Sequence, residues 1–243
     1  MAIDLHKYAN PTRFLRIANA IFPWSIVVSV GLLVAGLYLG LFVAPPDYQQ
    51  GETVRIMFVH VPAAWMAMSV YSMMAVSSAA GLIWKHPVAD LSAKAAAPIG
   101  ACFTFLALVT GSLWGQPMWG AYWVWDARLT SMLILLFLYL GYMAVWESFE
   151  DQSKAAKAAA ILVLIGAINI PIIKFSVDWW NTLHQPASVA TMEGPKIHGS
   201  ILTPLLIMGL AYTSLFVTIF IIRVRAEILG RRLRMLRVNQ LQE

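Results

Sequence analysis

The chain has 243 residues, of which 60% are hydrophobic and 12% charged, and its mean hydropathy is +0.70. This composition excludes a water-soluble globular domain and predicts an all-α, polytopic integral membrane protein. The net charge of +5 does not indicate a nucleic-acid partner, because most of the basic residues lie on one side of the predicted membrane, as is usual in membrane proteins.

Six segments without Asp, Glu, Lys or Arg follow one another along the chain. A membrane-spanning helix needs about 20 mainly apolar residues. The shorter fourth and fifth segments are extended by long side chains, such as Lys157 and Lys174, that reach the membrane interface. We therefore predict one membrane domain over residues 1–243, a bundle of six transmembrane helices. In chain order the helices are about 22–43, 61–84, 95–114, 129–147, 158–174 and 200–222.

The distribution of Lys and Arg predicts the orientation of the bundle. If the N-terminus is cytoplasmic, thirteen basic residues lie inside: Lys7, Arg13, Arg16, Lys85, Lys94, Lys154, Lys157, Arg223, Arg225, Arg231, Arg232, Arg234 and Arg237. Four lie outside: Arg55, Arg128, Lys174 and Lys196. This bias places both termini in the cytoplasm, and we expect the basic segment after residue 222 to leave the membrane in contact with anionic lipid.

The single cysteine limits the redox chemistry of the chain. Cys102 lies in the middle of the third predicted helix. One cysteine cannot form a disulfide within the chain, a thiol-redox pair or a Cys-x-x-Cys-His heme attachment site. The sequence therefore predicts that any cofactor is not held covalently through sulfur.

Three connections meet at the outer end of the predicted bundle. With six helices, the connections after the first, third and fifth all lie on this side. They contribute His60 near the start of the second helix, a tryptophan-rich segment at 114–126, and a segment at 178–186 that contains His184. The topology alone therefore predicts that two histidines and six of the ten tryptophans gather on one face.

The tryptophan segment, residues 114–126, holds four of the ten tryptophans and ends in an acid. Proline is tolerated in the first turn of a helix, so we predict an external amphipathic helix that begins after Pro117. Trp119, Tyr122, Trp123 and Asp126, at i, i+3, i+4 and i+7, would then share one face of that helix. The expected aromatic platform consists of Trp114, Trp119, Tyr122, Trp123, Trp125 and Asp126. An interfacial aromatic belt is the alternative, but a single loop with this many aromatic residues favours a planar, apolar ligand.

His60 and His184 fit a pair of axial ligands on opposite sides of a planar macrocycle. A neutral imidazole nitrogen is a common ligand of heme iron. For each histidine taken alone, the alternative is an interfacial imidazole that is hydrogen-bonded to the backbone. His198 also lies outside, near the start of the sixth helix, but no neighbouring residue supports it as a ligand.

Arg55 and Arg128 lie on the outer side, where basic residues are scarce. Heme carries two propionates, and a guanidinium group pairs with carboxylates in a bidentate geometry. Both arginines are therefore candidate propionate partners. For Arg128 the alternative is an ion pair with Asp126 or a role in anchoring the fourth helix. We expect Asp126 itself to hold loop hydrogen bonds rather than to bind iron.

These residues resemble those of a known family. The tryptophan segment, which reads from Trp114-Gly115 to Trp125-Asp126-Ala127-Arg128, is similar to the "WWD" signature of heme-handling membrane proteins. Together with the six helices, the short length and the paired outer histidines, it resembles the heme exporter protein C family of the bacterial cytochrome c maturation (Ccm) system. The similarity covers nearly the whole chain. Related heme-lyase subunits share the tryptophan run but are much longer.

The resemblance implies a heme b site on the periplasmic side of the bacterial inner membrane, with His60 and His184 as axial ligands. It implies presentation of heme to a membrane-tethered periplasmic chaperone. It also implies a complex with the ATPase and permease subunits of an ABC transporter and with a small single-helix membrane subunit. The chain has no nucleotide-binding glycine loop, so ATP hydrolysis is expected in the partner subunits and the chain is not expected to be an enzyme.

Two other functions remain open at the level of sequence. An electron-transfer cytochrome b subunit usually has its heme ligands within the transmembrane helices, and no histidine lies deep in a predicted helix here. A structural permease subunit of an exporter would instead use the aromatic loop to dock a periplasmic protein. Purification without heme would favour this second alternative.

Overall fold

The computed structural model describes residues 10–180, 182–185, 188–189 and 194–240. These residues form seven α-helices: α1 (Pro11–Tyr38), α2 (Met57–Trp84), α3 (Pro87–Trp119), α4 (Ala127–Glu147), α5 (Gln152–Gly166), α6 (Asn169–Trp179) and α7 (Gly199–Gln240). A π-helical turn, Leu39–Val43, follows α1, and a 3-10 turn, Glu52–Ile56, precedes α2. With α5 and α6 counted as one span, six helical segments are long and apolar enough to cross a membrane. The predicted all-α, polytopic membrane fold is confirmed.

Several helices are longer than the predicted spans. The side chain of Asn10 accepts a hydrogen bond from the backbone N–H of Thr12 (2.9 Å), so α1 begins eleven residues before the predicted start at 22. In the same way His86 caps α3, which begins at Pro87. The last helix continues to Gln240 through the basic segment that was expected to leave the membrane. The hydropathy of the sequence locates only the part of a helix that lies in the hydrocarbon core of the membrane. The helix itself can continue beyond the core, where it carries charged side chains.

The predicted external helix after Pro117 is wrong. α3 continues through Pro117 and ends at Trp119, and Gly120 adopts a left-handed backbone with φ of 75°. The Gly120 N–H donates to the carbonyl of Gln116 at 2.9 Å, as expected of a glycine that terminates a helix. Residues 121–126 contain no helical turn. Trp114 and Trp119 therefore belong to the end of a membrane-spanning helix, and the remaining aromatic residues of the segment lie in an irregular connection.

The fifth span is broken between Gly166 and Asn169. Pro171 has no N–H to donate to the preceding turn, and its ring disfavours a continuous helix there. The side-chain amide of the buried Asn169 donates to the carbonyl of Ser131 in α4 at 2.9 Å. This hydrogen bond attaches the start of α6 to α4. The direction of α6 is therefore fixed independently of α5.

The two ends of the bundle differ in polarity. At the end where α3 begins, Lys94 and Glu227 form an ion pair of 3.1 Å, and the Lys94 ammonium lies 4.8 Å from the Trp146 ring centre. In the middle, Tyr139 is fully buried and donates to the carbonyl of Ala67 at 2.7 Å. The opposite end, where α3 and α6 end and α2, α4 and α7 begin, contains a cavity. We call this the cavity end.

Candidate functional site

The cavity has a volume of about 380 Å³ and lies between α2, α3, α4, α6, the start of α7 and the connection that precedes α7. This volume falls within the roughly 300–1,000 Å³ of small-molecule sites. Its walls are mainly apolar and include aromatic and thioether side chains: Met57, Trp65, Met68, Trp114, Met118 and Trp119. Both candidate ligands, His60 and His184, line it. The structure therefore brings together two residues that are 124 positions apart in the sequence.

His60 projects from the first turns of α2 and is held by α3. Its Nδ1 lies 3.0 Å from the carbonyl oxygen of Ala107 and 3.2 Å from the hydroxyl oxygen of Thr110. A carbonyl only accepts hydrogen bonds, so Nδ1 carries the proton and the neutral ring leaves its lone pair on Nε2. Gly111 makes room for the ring, because a Cβ at this position would lie 2.9 Å from His60 Cε1.

His184 is oriented by Asp126. Its Nδ1 lies 3.0 Å from Asp126 Oδ2, while Oδ1 of the same carboxylate accepts the backbone N–H of Leu129 at 2.7 Å and caps α4. Burial lowers the pKa of His184 below its ordinary value, and the hydrogen bond and charge of Asp126 partly oppose this shift. The imidazole is therefore neutral at pH 7. It donates from Nδ1 and keeps its lone pair on Nε2.

Two tryptophans at the end of α3 each contact one of the histidines. The rings of Trp114 and His60 meet edge to face with centroids 5.7 Å apart, and those of Trp119 and His184 do so at 4.9 Å. The indole N–H of Trp114 donates to the side-chain oxygen of Gln50 at 3.1 Å. The last turns of α3 therefore fix the position of both imidazoles through aromatic packing.

The rest of the predicted platform does not line the cavity. Tyr122 is 61% exposed and Trp125 is 75% exposed. Trp123 packs edge to face against Trp125, with ring centroids 5.4 Å apart. The reason is the early end of α3 at Gly120, because the shared face predicted for Tyr122 and Trp123 requires a helix. Asp126 accepts the hydrogen bond from His184 Nδ1, which agrees with the hydrogen-bonding role expected for it.

The two candidate arginines have different environments. Arg128 lines the cavity at the start of α4, and its buried Nε has no hydrogen-bond partner within the described part of the chain. Arg55 lies elsewhere: it pairs with Glu52 and donates to the carbonyl of Leu41 at 2.6 Å. Its guanidinium therefore caps the turn that follows α1. Arg55 does not line the cavity, so the structure gives no support to its prediction as a propionate partner.

Sequence reasoning missed several residues of the cavity wall. Trp65 and Met68 follow His60 on one face of α2, and Lys174 enters the wall from α6. The helical spacing of the α2 residues is a signal that was available. Extension from His60 by the helix period reaches positions 57, 61, 64, 65 and 68, all of which line the cavity. His198 does not line the cavity; its Nδ1 lies 2.8 Å from the hydroxyl oxygen of Ser200.

The arrangement offers two neutral imidazole nitrogens inside an apolar, aromatic cavity. Among the described residues, no group of three or more His, Cys, Asp or Glu side chains could hold a metal ion. A metal that enters with its own equatorial ligands needs only the two axial donors that a pair of histidines supplies. The cavity is chemically suited to a planar metal complex.

Comparison with known proteins identifies the family. The model of the family described as "Heme exporter protein C" matches residues 4–239. A heme exporter protein C of Bradyrhizobium diazoefficiens is 60% identical over 238 residues, which cover 98% of this chain and 89% of that protein. The heme exporter protein C of Escherichia coli K12 is 49% identical over 225 residues, or 93% of this chain and 91% of that protein. A putative cytochrome c biosynthesis ccmC-like mitochondrial protein of Marchantia polymorpha is 52% identical over 199 residues, 82% and 84% of the two chains. This chain therefore belongs to the heme exporter protein C family.

Proposed function

We propose that this protein binds heme b through Nε2 of His60 and Nε2 of His184 and presents it to a heme chaperone during cytochrome c maturation. The observation that carries the proposal is that the two imidazoles line one cavity and have the same hydrogen-bonding pattern. Each has its Nδ1 engaged by an acceptor, Ala107 or Asp126, and each keeps Nε2 for a ligand. Proteins orient metal-binding histidines in this way.

The residues around the imidazoles suit heme as cargo. Trp114 and Trp119 supply flat apolar area next to the axial ligands, which favours a planar ring over a compact polar solute. Ligation by both histidines leaves the iron without an open position. Arg128 offers a cation for an ionised propionate. None of these side chains is required to break or form a covalent bond, which fits a binding and presenting role.

The cellular arrangement follows from the charge bias and from the family. We place the cavity end on the periplasmic side of the bacterial inner membrane, because the basic residues concentrate at the opposite end. The expected partners are a membrane-tethered periplasmic heme chaperone, the ATPase and permease subunits of an ABC transporter, and a small single-helix membrane subunit. The basic end of α7 meets anionic lipid at the cytoplasmic surface.

The wild-type protein, purified in mild detergent, is expected to carry one heme b with a six-coordinate, bis-imidazole absorption spectrum in both oxidation states. Extraction with acidified organic solvent should remove all the heme, because Cys102, the single cysteine, does not line the cavity and so cannot form a thioether with the bound heme. A chain that stays free of heme even after reconstitution would refute the proposal and favour a docking subunit. Two hemes per chain would favour an electron-transfer cytochrome b.

Replacement of Gly111 by alanine is expected to weaken heme binding through His60. The added Cβ would lie 2.9 Å from His60 Cε1, and the ring cannot move away without loosening its hydrogen bond to Ala107. We expect affinity to fall on the order of tenfold, the lower end of the range for the loss of a ligand-orienting contact. Heme titration of the detergent-purified, heme-free protein measures this. The matched control is Gly141→Ala in α4, whose Cβ meets Leu162 at an ordinary 3.7 Å. Equal affinities of the two variants would contradict the role of Gly111.

A further inference from the structure

Lys174 is a charged residue in the cavity wall that the proposed axial ligation does not use. It lies in α6, within the fifth membrane-spanning segment, and no charged residue precedes it between positions 158 and 173. Charged side chains in membrane spans are costly and usually face a cavity or a partner. The sequence predicts a side chain that reaches the membrane interface, and in the structure Lys174 is exposed and also lines the cavity that contains His60 and His184.

The local fold explains why Lys174 lies at the cavity wall. The break after Gly166 and the hydrogen bond from Asn169 to the Ser131 carbonyl set the direction of α6 independently of α5. The preceding residue, Ile173, is 3% exposed and also lines the cavity. Lys174 is therefore presented by a short helix that is anchored to α4, the helix that also carries Arg128.

The charges that line the cavity are positive. Among the described residues, Arg128 and Lys174 are the charged members of the wall, and no Asp or Glu lines it. Neither cation forms an ion pair within the part of the chain that the structure describes. Two acids outside the lining act electrostatically on Arg128: Asp178, and Asp126, which is engaged by His184 and by the backbone of Leu129. Two cations in a wall that is lined by no carboxylate favour a ligand that brings two negative charges.

We infer that Lys174 and Arg128 together hold the two ionised carboxylates at one edge of the planar ligand, so that Lys174 selects a dicarboxylate porphyrin. The inference rests on the proposed function. In this assignment Lys174 takes the place of Arg55, whose guanidinium lies outside the cavity wall and is engaged by Glu52 and the Leu41 carbonyl. Lys174 acts as a specificity-determining residue, because it contacts the carboxylate edge and leaves the iron to the two histidines.

The test compares two ligands that differ only at the carboxylates. Heme-free protein in detergent is titrated with iron protoporphyrin IX and with its dimethyl ester, for the wild type, Lys174→Gln, Lys174→Arg and the matched control Arg55→Gln. We expect Lys174→Gln to weaken binding of the free acid about tenfold, the effect of one lost charge-assisted hydrogen bond. Binding of the ester should be the same in Lys174→Gln as in the wild type. Lys174→Arg should restore most of the affinity for the acid, and Arg55→Gln should bind both ligands like the wild type.

The absorption spectrum separates this role from a structural one. Because Lys174 is assigned to the carboxylate edge, the six-coordinate spectrum should persist in Lys174→Gln at saturating heme. Equal weakening of the acid and the ester, or of neither, would overturn the assignment while the proposed function stands. A wild-type protein that binds neither porphyrin would overturn the proposed function itself and the assignment with it.

Discussion

Replacement of either His60 or His184 by alanine is expected to abolish the six-coordinate heme spectrum. Each variant keeps one axial nitrogen, so heme that remains bound should be five-coordinate or should carry a weak substitute ligand. The loss of partners that orient a histidine ligand lowers metal affinity by about 10–100-fold, and the loss of the ligand itself should cost more. Heme content and oxidised and reduced spectra of the purified variants measure the effect.

Added imidazole distinguishes a lost ligand from a damaged fold. His60→Ala leaves a space between α2 and α3 at Ala107 and Gly111, which are fixed in helices, so imidazole should enter and restore a six-coordinate spectrum. His198→Ala is the matched control, because that histidine bonds to Ser200 and does not line the cavity. It should keep the wild-type spectrum. A His60 or His184 variant with an unchanged spectrum and heme content would rule out that residue as a ligand.

The sequence predicted the number of spans better than the ends of the helices. Uncharged runs locate the parts of a helix that fit the hydrocarbon, and all six runs correspond to spans in the structure. They do not report where the helix itself ends. α7 continues to Gln240 through a segment that carries arginines from position 223 onward, and α3 ends only at Gly120, where a positive φ is available to glycine.

The site was predictable where topology determined it and not where tertiary packing did. Successive spans cross the membrane in alternate directions, so the connections that precede α2, α4 and α7 lie on the same side, which was sufficient to place His60 and His184 at one end of the bundle. The platform prediction assumed a helix across residues 119–126, and the early end of α3 instead leaves Tyr122 and Trp125 exposed. The position of Lys174 depends on the hydrogen bond between Asn169 and Ser131, a contact over 38 residues that hydropathy does not detect.

Replacement of Asp126 by asparagine is expected to weaken heme binding about 10–100-fold, the range for partners that orient a metal ligand, without loss of the α4 cap. The carboxylate accepts two hydrogen bonds, from the Leu129 N–H and from His184 Nδ1. An asparagine side chain has one oxygen and one NH₂ group, so it accepts only one of them. We expect the asparagine oxygen to accept from the Leu129 N–H. A backbone N–H can only donate, whereas a neutral imidazole can carry its proton on either ring nitrogen.

The NH₂ group would then face His184 Nδ1, and that nitrogen would have to accept a hydrogen bond from it. The proton moves to Nε2, which removes the lone pair that is proposed to bind iron. Asp126→Ser is the matched variant, because a serine hydroxyl also caps a helix but leaves His184 without a partner. The heme-free forms of both variants should unfold in detergent at temperatures close to the wild type. Asp126→Ala, which loses the cap, should be less stable by about 1 kcal/mol.

The pH dependence separates this tautomer change from simple protonation. Burial already lowers the pKa of His184, and Asp126 opposes the shift. Removal of the carboxylate charge should therefore lower this pKa further, so the imidazole of Asp126→Asn stays neutral throughout the range from about pH 7 to 8. Its heme affinity should remain low and nearly constant over that range. Recovery of the wild-type affinity at pH 8 would indicate that Asp126 acts on the protonation of His184. Wild-type affinity at every pH would show that His184 does not depend on Asp126 for its orientation.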